Sequence, residues 1–90
     1  MEEVDKRYFL LLRKFQSEDI SRSRADYVPP SERAYRQLAT EMSEELGNMD
    51  WRALANKHSA WRNGRFHSSE EFVNSEYFDA EIERQFPAHK

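Results

Sequence analysis

Two glycines and three prolines in 90 residues leave very little turn chemistry, and a multi-stranded sheet needs a turn every few residues. The chain therefore reads as helical, and the question becomes where each helix starts and stops. From Glu2 to Gln16, Val4, Tyr8, Leu11, Leu12 and Phe15 recur at the three- and four-residue intervals of one helical face, with Phe9 and Leu10 widening it. Ser17 offers an N-cap for a short turn around Ile20, but the Ser-Arg-Ser-Arg stretch that follows is too polar to be pinned to a core, so residues 17–30 read as loop or frayed helix. Pro29 and Pro30 push the residues before them out of helical angles, and Ser31 can cap a second helix with a stripe of Tyr35, Leu38, Met42 and Leu46 that ends at Gly47.

Asp50 is the natural cap of a third helix, whose buried face is expected to hold Trp51, Leu54, Ala55, His58 and Trp61. At about 100° per residue, Arg62 would fall within about 20° of Trp51 and carry a charge into that stripe. The helix is accordingly expected to stop by Trp61, with residues 62–69 forming a turn around Asn63-Gly64. Ser68 and Glu71 have the spacing of a capping box for a last helical region bearing Phe72, Val73, Phe78, Ile82 and Phe86. Asn74-Ser75 can divide that region, and Pro87 ends it. The expected fold is all-α: a small bundle of four to five helices forming one domain over residues 1–90.

Composition sharpens this picture. Leu, Ile, Val and Phe account for 17 of 90 residues and the mean hydropathy is -1.04, close to the composition of chains that do not fold. Aromatic residues, at 13%, supply the missing apolar surface. Tyr8, Phe9, Phe78 and Phe86 exceed what three short helices can bury against one another, so part of this set is expected to form an exposed patch for a partner or for a second copy. There is no cysteine, hence no disulfide and no thiolate chemistry, which suits a reducing cytoplasm. The acidic start and the short longest apolar run, Tyr8 to Leu12, predict neither a signal peptide nor a membrane span.

Several chemistries find no support in the sequence. His58, His67 and His89 stand too far apart for metal-ligand spacing and have no cysteine beside them. His58 reads as a satisfied core histidine rather than a general base, since no orienting partner is evident. Gly47 and Gly64 both belong to helix ends, which excludes a glycine-rich phosphate cradle. The pairs Glu2-Glu3, Glu44-Glu45 and Glu70-Glu71 are adjacent, so they diverge on a helix instead of converging on a sugar. No catalytic residue, metal site or cofactor is expected, and the chain reads as non-enzymatic.

Charge is the one uneven feature. The sequence carries 17 acids and 14 bases, yet residues 51–69 contain Arg52, Lys57, Arg62 and Arg65 with no acid among them. With His67, these are the expected partner- or anion-binding residues. The favoured reading is a small cytoplasmic regulatory or adaptor protein acting through contact with another protein, one with an acidic surface, or through a homodimer. The alternative is a nucleic-acid-binding regulator that uses the interleaved Arg, Lys, Trp and Phe residues of this segment. It ranks second because a chain of net charge -3 repels a polyanion.

Overall fold

The computed structural model describes residues 1–18, 27–62 and 66–87, for 60–62 the backbone alone. Among them are six helices and no strand: α1 (Glu3–Ser17), α2 (Pro30–Glu41), α3 (Ser43–Leu46), α4 (Trp51–Arg62), α5 (Ser69–Val73) and α6 (Glu76–Gln85). The all-α expectation holds. The helix count exceeds the expected four to five because two regions are divided.

The expected helix from Ser31 to Gly47 breaks at Met42, where φ is -131° and ψ 50°. No proline or glycine marks that point. Backbone hydrogen bonds continue on both sides of it, Met42 N–H to Leu38 at 2.8 Å and Leu46 N–H to Met42 at 2.9 Å, and the bend brings Leu46 into the core. Gly47 then takes the left-handed φ of 63° that a side chain resists. The second division falls at Asn74-Ser75, where the Ser75 hydroxyl accepts the Phe78 N–H at 3.2 Å and starts α6. Pro87 lies just beyond its end, as expected.

One cap differs from the sequence reading. Ser31 does not cap α2; Pro29 occupies the cap position and Pro30 opens the helix, where a missing N–H costs nothing. Ser17 is the last residue of α1, its hydroxyl donating back to the Lys14 carbonyl at 2.8 Å. The expected turn around Ile20 lies outside the described residues.

The core forms around α1. Val4, Tyr8, Phe9, Leu11 and Leu12 are buried against Ala34 and Leu38 of α2, Leu46 of α3, Leu54 of α4, Phe72 and Val73 of α5 and Phe78 of α6. Phe9 meets Phe72 edge-on at 5.1 Å between ring centres and Phe78 at 5.8 Å, and the latter two meet at 5.3 Å, the geometry aromatic quadrupoles favour. This corrects the expected aromatic surface patch. Tyr8, Phe9 and Phe78 are among the most buried residues, and Phe86 is half-buried beneath the Lys6 ammonium, 4.6 Å from its ring centre. More helices surround α1 than the three strongest stripes suggested, and they have room for these rings.

Polar contacts tie the rim. Arg7 pairs with Glu41 through two hydrogen bonds at 2.8 and 3.1 Å, joining α1 to the end of α2. Arg13 reaches Asp79 of α6 at 2.6 Å. Asn74 donates to Gln16 at 2.7 Å and to the Glu70 carbonyl at 2.9 Å, fastening the end of α5 to the last turns of α1.

Candidate interaction surface

The start of α4 is built as the sequence implies: Asp50 accepts the Ala53 N–H at 2.9 Å on its carboxylate and the Leu54 N–H at 3.0 Å on its carbonyl. Leu54 and His58 turn inward and are buried. Trp51, expected on the same buried face, is 42% exposed. As the first residue of its helix it lies where α1 and α2 no longer cover it. Its indole leans on Tyr8 and Tyr35, each 6.3 Å away between ring centres, and leaves the rest of its surface to solvent. Tyr35 is held in turn by its hydroxyl, which donates to the Met49 carbonyl at 2.8 Å.

A cleft opens on either side of Trp51. One, of about 370 Å³, is lined by Glu32, Tyr35 and Arg36, and its two charges are paired with each other at 2.6 Å. The other, of about 190 Å³, is walled by Ser31, Ala55 and residues 67–70. Among the described residues, the exposed large apolar side chains are Trp51 and Tyr77. Tyr77 sits against Phe66 and Phe72 at 5.9 and 6.2 Å.

Of the expected anion-binding set, Arg52, Lys57 and His67 are described. Arg52 is exposed and makes no ion pair among the described residues. Lys57 turns toward α1, where its ammonium lies 3.3 Å from the Glu2 carboxylate and 3.2 Å from that of Asp5. Burial opposes its charge, but these two carboxylates outweigh that and push its pKa up. His67 is exposed at the rim of the smaller cleft, its N–H donating to Glu71 at 2.7 Å. That contact completes a variant of the expected capping box: Ser68 accepts the Glu71 N–H at 3.2 Å, while the Glu71 carboxylate takes the N–H of His67. The backbone of α4 runs through Arg62, one residue past the expected stop. The Arg62 side chain, Arg65 and the turn at Asn63-Gly64 lie outside the described residues.

Sequence reasoning missed Asp5. Its carboxylate is fully buried and accepts three hydrogens: from the Glu2 N–H at 2.9 Å, from His58 Nε2 at 2.9 Å and from Lys57 at 3.2 Å. Burial alone would raise its pKa, but His58, the Glu2 amide and Lys57 together lower it to about 2. An ionised carboxylate only accepts, so Nε2 of His58 carries the hydrogen. The imidazole is flanked by the rings of Tyr8 at 5.0 Å and Phe9 at 4.4 Å. Burial pushes the Tyr8 phenol up, and the nearby Glu70 carboxylate adds to that. The sequence did hold a signal: on a helical wheel Asp5 falls between Leu12 and Phe9, inside the apolar stripe. An acid in one stripe and a histidine in another are a candidate pair.

No group of three His, Cys, Asp or Glu side chains among the described residues is arranged to hold a metal ion, and no helix among them is long and apolar enough to cross a membrane. What fold and site define is a small all-α protein with the Trp51 indole exposed between two clefts. Compared with protein-family models, curated proteins and solved structures, the chain matches none of them significantly.

Proposed function

We propose that this protein is a non-enzymatic adaptor or regulator that binds another protein on the Trp51 face. One observation carries the reading: a tryptophan is left 42% exposed on a buttressed helix start, between two clefts. Surface tryptophans held rigidly beside pockets are the residues that dominate binding energy at protein interfaces. The acid-free run of α4 next to it, with Arg52 in no ion pair among the described residues, favours a partner that presents carboxylates around an apolar side chain. His58, whose Nε2 bonds the Asp5 carboxylate, is 1% exposed and closed off by Tyr8 and Phe9, which supports a structural role for it.

The test is affinity capture from the native host with the parent chain, Trp51→Ala and Arg52→Glu, at a temperature where circular dichroism shows all three folded. A specific partner lost by both variants, with a parent affinity that weakens as salt rises, supports the reading. Retention of every captured protein by Trp51→Ala overturns it. Tight binding of generic single- or double-stranded oligonucleotides, falling steeply between low and moderate salt, would favour the nucleic-acid alternative.

A further inference from the structure

Side chains link α4 to α1: Lys57 and His58 reach Asp5, and Trp51 leans on Tyr8. On the α4 side, Leu54 and His58 are the buried residues among those described. An apolar contact such as that of Leu54 permits sliding and rotation, because dispersion and hydrophobic forces have no direction. The hydrogen bonds to Asp5 do have direction. One carboxylate uses Oδ2 for the first turn of α1 and Oδ1 for both Lys57 and His58, so α4 is held at a defined height and rotation relative to the start of α1.

Trp51 lies two turns before His58, about 20° away around the helix. A rotation or slip of α4 that breaks the Asp5–His58 bond therefore also moves the indole off its seat on Tyr8 and Tyr35. We infer that Asp5 is the positioning residue of the Trp51 surface: its buried carboxylate locks α4 in the one register that holds the indole between the two clefts. Without it, α4 remains helical but re-seats, and Trp51 leaves Tyr8 and Tyr35. The outer partner of Lys57, Glu2, is largely exposed and contributes little to the lock. The functional meaning of this lock rests on reading Trp51 as the contact residue, but its test does not, since it uses the free protein.

The experiment is performed on the full chain carrying Trp61→Phe, which leaves Trp51 as the sole indole. Acrylamide quenching of its fluorescence is compared for Asp5, Asp5→Leu and Asp5→Asn, with Leu38→Ala as a variant that weakens the core from α2 and leaves the Asp5 contacts in place. Complete release of an indole now 42% exposed raises the quenching constant up to about two-fold, the ratio of full to present exposure. The inference predicts a rise of that order in Asp5→Leu, a smaller one in Asp5→Asn, which keeps one acceptor, and none in Leu38→Ala. Unchanged quenching in both Asp5 variants, or an equal rise in Leu38→Ala, overturns it. Failure of both Asp5 variants to fold also overturns it, because Asp5 would then hold the whole chain and not the seating of one helix. Partner capture is scored separately, so the lock can stand while the binding reading falls.

Discussion

Where α1 meets α5 and α6, the contact consists of rings: Phe9, Phe72 and Phe78 meet edge-on within 6 Å and are sealed from water. Where the same helix meets α4, a carboxylate, an imidazole and an ammonium share the gap, and beyond them Trp51 is open to solvent. The first contact is strong and tolerant of small shifts; the second is directional and loses most of its value when one partner goes. A chain this polar thus concentrates its cohesion in one place and its geometric precision in another.

The comparison breaks most directly at Phe9. Truncation to alanine removes the ring shared by Phe72, Phe78 and His58, and should cost about 3–5 kcal/mol in urea-induced unfolding, enough to leave so small a domain barely folded. A loss under about 1 kcal/mol would mean that the ring cluster is not the main source of cohesion.

Next is Asp5→Ala, which strands the His58 N–H and the Glu2 amide and leaves the Lys57 ammonium with Glu2. Chemical denaturation should show a loss on the order of 2–4 kcal/mol. If alanine were tolerated, the polar contact would be ornamental and α4 would be held by its apolar and ring contacts.

Acid gives a third measure. Asp5 titrates at about 2 in the folded chain against an ordinary 3.8, so the unfolded chain takes up this proton first as pH falls. Its contribution is complete above the ordinary value and is lost as pH drops through 3.8 toward 2. At about 1.4 kcal/mol per pKa unit, that amounts to about 2 kcal/mol. Glu41, held at about 2 by Arg7 and then Gln37, titrates in the same window and the same direction from the surface. The Asp5 share is therefore the difference between the acid unfolding curves of the parent and Asp5→Asn. Parallel curves would show that the lock carries no linkage.

Two smaller effects sharpen the contrast. Trp51→Ala gives up the contacts with Tyr8 and Tyr35 but not a fully buried ring, so a loss of about 1–2 kcal/mol is expected by thermal melting, well short of that for Phe9. A penalty as large as that of Phe9 would place Trp51 in the core after all. Arg13→Ala, which removes the 2.6 Å surface pair with Asp79, should shift stability by about 0–1 kcal/mol.

Much of this was legible in the residue order. Scarce glycine and proline ruled out a sheet, and the stripes of α1 and α2 named Tyr8, Leu12 and Leu38 as core; Asp50, Ser68 and Gly47 announced helix ends because caps act on the nearest few amides and carbonyls. These are local effects, and neighbours along the chain decide them. The kink at Met42, the exposure of Trp51, the diversion of Lys57 to Glu2 and Asp5, and the pairing of Asp5 with His58 across 53 positions were decided by tertiary structure. Periodicity tells which face of a helix turns inward but not which helix will cover it, or how far along. An indole at the first position of α4 reads as core until the arrangement of α1 and α2 leaves it uncovered. A basic segment reads as an open grip until the fold brings two carboxylates to one of its cations.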